Sequence, residues 1–369
     1  MTLPRRVMTL ARRLPLCLSL FTLLVCAPVL HAPLHAQVTG QQRAEAAGHS
    51  LVGSPAPRKV LKTIDGQTID LGSLYGKKAV YLKFWATWCV PCREQMPHFE
   101  RTYESAGSDL QVIAVNAGFN DSIDDVRAYR KQLGIKMPIV IDDGTLGTAF
   151  NLRVTPQHVV IGRDGRIQYV GHLASEQLDA AIQVARSSPA TGVAGGSNGG
   201  GGRGVDSGRP GDGKVSRYGV GDRAPPFSAK TLDGSLLDFQ QPAKQQPAVL
   251  VFMTPWCESY LETSRAQVSK RCRDVRVGVE ELAKQRPQVR WLGIASGIWA
   301  SREDLSKYKT QFDVTIPLTL DESGALFQTF QVRSVPTVIV INSQGKIERR
   351  IEGGDPRLVA QLQEVALTR

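Results

Sequence analysis

Cysteine is scarce in this chain: six in 369 residues, too few for the disulfide framework on which small exported domains rely. The one C-x-x-C, at Cys89 and Cys92, is joined by no second such pair and by no Cys/His pair at structural spacing, so a zinc site would lack half of its ligands. Lys and Arg exceed Asp and Glu by a net charge of +11, yet they form no dense run and carry no aromatic nucleic-acid motif, which excludes nucleic acid as the partner. The charge favours acidic proteins or anionic membrane surfaces. The length suits two domains, each with its own core.

Residues 1–36 open with Arg5, Arg6, Arg12 and Arg13, continue through an apolar run from Leu14 to Val25 and end at Leu34-His35-Ala36, a small-residue cleavage site. This reads as a signal peptide. The residues after the arginine pairs fit the twin-arginine pattern poorly, and Val25 stands before Cys26 where a lipoprotein box wants a small residue, so cleavage on the general secretory route is expected. Left uncleaved, the segment is long enough to anchor the chain in a membrane. A periplasmic protein is the resulting expectation. With Cys17 and Cys26 in the leader, four cysteines remain: Cys89, Cys92, Cys257 and Cys272.

The chain is organised around residues 80–100, VYLKFWATWCVPCREQMPHFE, an apolar strand that runs into Trp88-Cys89-Val90-Pro91-Cys92 and then a helix. A thiolate, not a thiol, attacks a disulfide, and a helix start supplies unpaired N–H groups and the positive end of the dipole to stabilise it. Cys89 is therefore expected as the nucleophile and Cys92, one turn later, as the resolving thiol. Pro91 suits the first helical turn, where its missing N–H costs nothing.

FWATWCVPCREQMP resembles the active site of thioredoxin-like proteins, specifically the TlpA/ResA branch of extracytoplasmic thiol-disulfide oxidoreductases. The fold it implies is α/β, a central mixed sheet flanked by helices. Around the motif, alternation about Asp65-Gly66 predicts a hairpin over 62–71, followed by a strand at 79–85, a single helix from Pro91 to about Ser105, a strand at 110–116, a helix at 122–133, and strands at 138–141, 157–161 and 166–170. The resemblance implies a cis-proline facing the dithiol. Pro156, after Thr155, matches it; such a residue leaves the preceding backbone free to pair with an extended peptide.

Two further residues stand near the motif. Lys83 lies where thioredoxins resemble one another in carrying a buried Asp; its ammonium either stabilises thiolate charge or, the favoured reading, escapes to the surface. His158, on the strand after Pro156, would complete a Cu(I) site with Cys89 and Cys92 by resemblance to copper-handling relatives; a satisfied strand histidine is the favoured reading. The reading calls for no cofactor.

Residues 187–216 are Gly-rich without apolar periodicity and read as a flexible linker. Beyond it the pattern repeats. Lys230-Thr231-Leu232-Asp233-Gly234 and Trp256-Cys257 echo Lys62-Thr63-Ile64-Asp65-Gly66 and Trp88-Cys89 at a displacement of 168, and Ser334-Val335-Pro336 echoes Val154-Thr155-Pro156 at 180. Two thioredoxin-like domains result, at 50–186 and 217–369. In the second, Tyr260 stands where Cys92 would, leaving a single active-site Cys. Cys272 is expected about 22 Å away along one continuous, lengthened helix, as a structural Cys. Cys257 is open to three readings: a relic in a binding domain, a client-capturing monothiol, or a peroxide-reacting thiol, the last from Thr254-Pro255-Trp256-Cys257.

The expected protein is a periplasmic thiol-disulfide oxidoreductase acting through Cys89 and Cys92, with Trp88, Pro91, Thr155, Lys83 and Pro156 in support and Cys257, Tyr260 and Pro336 as second-domain candidates. Its partners would be disulfide-bearing exported proteins, such as apocytochrome c as the resemblance implies, and a membrane or periplasmic electron donor. The alternatives are a scaffold with a vestigial second site, a thiol peroxidase-like protein, or a copper-handling one.

Overall fold

The computed structural model describes residues 39–190, 218–239 and 246–353, with 355, 357, 360 and 361. The signal peptide expected over 1–36 and the flexible linker expected beyond residue 190 lie outside the described residues.

The first domain begins before residue 50. Helix α1 (Gly40–Gly48) opens on a capping box in which Thr39 and Gln42 satisfy each other's backbone N–H groups, and it packs on the last strand of its sheet. The predicted hairpin follows as β1 (Val60–Lys62) and β2 (Thr68–Asp70), antiparallel, with Gly66 at φ +82° in its turn. Then come α2 (Leu71–Leu74), β3 (Ala79–Trp85), α3 (Val90–Glu94), α4 (Met96–Glu104), β4 (Leu110–Asn116), α5 (Ile123–Leu133), β5 (Ile139–Ile141), α6 (Thr145–Ala149), β6 (Gln157–Ile161), β7 (Ile167–Gly171) and α7 (Glu176–Ser187).

The sheet runs β5-β4-β3-β6-β7. β3, β4 and β5 are parallel, while β6 is antiparallel to β3 and β7 antiparallel to β6. The continuous apolar character of β3 reflects its place: it is central, and all seven of its residues are buried. The single helix expected over 91–105 is two helices. Gln95 ends α3 and Pro97 lies in the first turn of α4, where a proline is accommodated only at a helix start.

The second domain repeats this plan: β8 (Ser228–Lys230), β9 (Leu236–Asp238), β10 (Ala248–Met253), α8 (Cys257–Tyr260), α9 (Ala266–Gln285), β11 (Arg290–Ser296), α10 (Arg302–Gln311), β12 (Leu318–Asp321), α11 (Ala325–Thr329), β13 (Thr337–Ile341) and β14 (Ile347–Glu352). Its sheet order, β12-β11-β10-β13-β14, matches the first strand for strand. The two cores are continuous, with Trp88 and Phe119 of the first domain and Phe252 and Phe327 of the second in one buried apolar cluster.

The continuous helix expected after Cys257 is not there. The chain leaves α8 after Tyr260, turns through 261–265, and starts α9 at Ala266. Glu262, Thr263 and Ser264 occupy that turn; Ser and Thr in particular compete with helical hydrogen bonding. The break folds α9 back on α8 and brings Cys272, in its second turn, to Cys257. The two form a disulfide with Cα atoms 6.2 Å apart, so the expected separation of about 22 Å and the single-Cys reading of this domain are corrected together.

Candidate active site

β3 delivers the chain to the end of the sheet, and Cys89 becomes the N-cap of α3, with Pro91 inside the first turn. Its Sγ accepts the Cys92 N–H at 3.2 Å, a contact that stabilises a thiolate there. Cys89 and Cys92 are joined as a disulfide, Cα atoms 5.2 Å apart. The Thr155–Pro156 bond is cis, and the Thr155 carbonyl oxygen lies 3.4 Å from Cys89 Sγ. The motif and the residue before the cis-proline thus lie together at this end of the sheet. The Trp88 indole N–H donates to the Phe119 carbonyl at 2.8 Å, which fixes the ring beside Cys89.

Lys83 does not reach the surface. It is fully buried under the motif, its Nζ donating to the Cys92 carbonyl at 3.4 Å and lying 5.2 Å from the Phe99 ring centroid. In the middle of a strand covered on both faces the side chain has no path to water. Burial lowers its pKa to about 7, because desolvation penalises the ammonium.

His158 is the satisfied histidine. Nδ1 meets the Tyr81 hydroxyl and Nε2 the Gln95 side-chain oxygen, both at 2.8 Å. The amide oxygen can only accept, so Nε2 carries the proton and Nδ1 accepts from Tyr81. Burial holds its pKa well below the ordinary value, in keeping with a neutral ring. Both nitrogens are thus engaged, and among the described residues no group of three His, Cys, Asp or Glu is placed to hold a metal.

Several contributors were not singled out in the sequence. His172 holds the Pro156 carbonyl through Nδ1 at 2.7 Å. Asp121, its carboxylate buried, accepts from the Thr87 N–H and from Asn116 at 2.8 and 2.7 Å; burial pushes this carboxyl up, against those bonds. Arg265 reaches Asp121 from the second domain at 3.0 Å.

Of the second-domain candidates, Tyr260 faces the first domain. The Val335–Pro336 bond is also cis. Trp256 stacks on Trp88, ring centroids 5.0 Å apart, and the Tyr260 hydroxyl accepts the Val90 N–H at 3.1 Å. Cys257 and Cys272 are both buried. The only signal for their pairing was the extra length between Cys257 and β11, which a lengthened helix explained equally well.

Family models match both halves of the chain: the AhpC/TSA family over residues 52–170 and Redoxin over 219–365. A thiol-disulfide oxidoreductase ResA of Bacillus cereus is 33% identical over 137 residues, covering 36% of this chain and 77% of that protein. The thioredoxin-like protein YneN of Bacillus subtilis (strain 168) is 33% identical over 135 residues, 36% of this chain and 79% of its own. A solved thiol:disulfide interchange protein of the thioredoxin family from Chlorobium tepidum TLS is 30% identical, with a TM-score of 0.32 over 36% of this chain and 97% of its own.

Proposed function

Because the chain belongs to the thioredoxin-like thiol-disulfide oxidoreductases, with the ResA proteins among its relatives, we propose that its first domain reduces disulfides of exported proteins through Cys89 and Cys92. The observation that carries this is the position of Cys89 at the N-cap of α3, its sulfur facing the Cys92 N–H on one side and the Thr155 carbonyl on the other.

In the reduced protein the Cys89 thiolate attacks one sulfur of a client disulfide. A Cys89–client bond forms, and the client's other sulfur leaves as a thiolate and takes up a proton. The Cys92 thiolate then attacks Cys89 Sγ, closing the Cys89–Cys92 bond and releasing the second client thiol, so two electrons pass to the client. Cys92 must lose a proton for this step. Lys83, with its pKa near neutrality and its Nζ at the Cys92 carbonyl, is placed to take it as a neutral amine. A membrane or periplasmic dithiol donor restores the pair. The arginine-bearing apolar leader supports work outside the cytoplasm.

The test is insulin reduction with dithiothreitol by the full chain. Reduction is expected for the natural protein and its loss for Cys89→Ser; full activity in that variant contradicts the assignment.

A further inference from the structure

We infer that the second domain occupies the client groove of the first, so that a folded client is reduced only after the two domains part. The inference rests on the reductase reading for the meaning of the groove, but not for the contacts.

The backbone before a cis-proline beside a redox dithiol is where an extended client would pair. Here it is already paired. The Trp299 N–H donates to the Arg153 carbonyl at 2.9 Å, and the Trp299 indole N–H donates to the Thr155 hydroxyl at 2.9 Å. On the other side of Cys89, the Val90 N–H is taken by the Tyr260 hydroxyl, and the Trp88 face by Trp256. Arg265 ties down the rim through the Asn120 carbonyl and Asp121.

The arrangement is reciprocal. Asn120 and Trp299 occupy equivalent loops, after β4 and after β11, and both hold positive φ, 55° and 58°. The Asn120 N–H donates to the Arg333 carbonyl at 2.8 Å, and its side-chain oxygen accepts the Val335 N–H at 2.8 Å. Each domain thus inserts the same loop into the cis-proline edge of the other. Such matched polar pairing, set around an apolar centre, is the anatomy of a specific interface.

In this arrangement Cys89 itself is 1% exposed. What remains open is a cleft of about 350 Å³ lined by Trp88, Cys89, Arg93, Asp125, Tyr129 and Arg265. That volume suits a small molecule, while the edge where a client strand would pair is filled by Trp299.

The test uses the full chain carrying Cys92→Ser, in which Cys89 is a free thiol, and follows the Cys89 peptide by mass spectrometry. It is modified in parallel by N-ethylmaleimide, which fits the cleft, and by a 5-kDa maleimide-polyethylene glycol, on the order of a small domain in size. Trp299→Gly with Arg265→Ala removes the indole and the guanidinium, while glycine keeps the positive φ of the loop. The ratio of bulky to small modification should rise by about fivefold or more, equivalent to about 1 kcal/mol of docking. Tyr260→Phe, which removes one oxygen and serves if the double variant does not fold, should raise it by about twofold. With Cys92 restored, insulin reduction should rise alongside. Ratios unchanged in both variants overturn the inference. Insulin reduction at equal rates in all the proteins, with equal ratios, removes the closed groove and keeps the reductase; raised ratios with no insulin reduction by any of them keep the closed groove and remove the reductase.

Discussion

The Nζ of Lys83 donates to the carbonyl oxygen of Cys92 from a position with no access to water. The folded protein holds this amine at a pKa of about 7, against 10.5 ordinarily. Between those values the unfolded chain binds a proton that the folded chain does not, so this residue makes stability rise with pH through that window. Below about pH 7 both states are charged and the burial penalty is full.

Lys83→Met is therefore expected to stabilise the fold, by on the order of 5 kcal/mol at pH 6 for a shift from 10.5 to about 7 at about 1.4 kcal/mol per pKa unit, and by little above pH 10.5. Urea unfolding at pH 6 and pH 10 checks the sign. The same variant should flatten the rise of insulin reduction between pH 6 and 8. A destabilised variant, or a pH profile identical to that of the natural protein, contradicts the role given to Lys83.

A second prediction concerns the Cys257–Cys272 bond, which closes a loop of 15 residues. In the chain-entropy picture a loop of that length contributes about 3 kcal/mol. Cys272→Ser should lower stability in non-reducing urea by roughly that amount, while Cys89 and Cys92 still pair. Unchanged stability would mean that the two sulfurs are not joined in solution.

The His158 ring bridges Tyr81 and Gln95, so His158→Ala takes the partner from a buried hydroxyl and from the Gln95 amide oxygen, while the amide nitrogen keeps the His172 carbonyl. A loss of about 2 kcal/mol of stability is expected. Cu(I) affinity of the reduced protein should change by less than about tenfold, or 1.4 kcal/mol, in a competition titration. A larger loss would restore His158 as a copper ligand.

Much of this architecture was legible in the sequence. The strand 79–85 and the hairpin turn at Gly66 follow from apolar continuity and turn chemistry, both local, whereas the cis-proline at Pro156 was expected only from the resemblance to thioredoxin-like proteins. Three features were not legible, each because a tertiary contact decides it. Lys83 is held inside by α3 and α4, whose Cys92 carbonyl and Phe99 ring lie over its ammonium, although its type alone argues for the surface. Cys272 reaches Cys257 through a turn at 261–265 whose side chains weaken a helix without marking where it ends. Trp299 and Arg265 gain their meaning only when the second domain meets the first, although the match of Trp299 to Asn120 in the repeat was available as a signal.

The most direct test of the central claim, that Cys89 is the nucleophile and Cys92 the group that resolves its mixed disulfide, is intact-mass analysis of the full chain after incubation with a defined peptide disulfide. Cys92→Ser should accumulate one covalent peptide, mapped to Cys89 and released by dithiothreitol, and Cys89→Ser should accumulate none. A stable adduct on Cys92 in the Cys89→Ser protein, with Cys89 unmodified in Cys92→Ser, would contradict it.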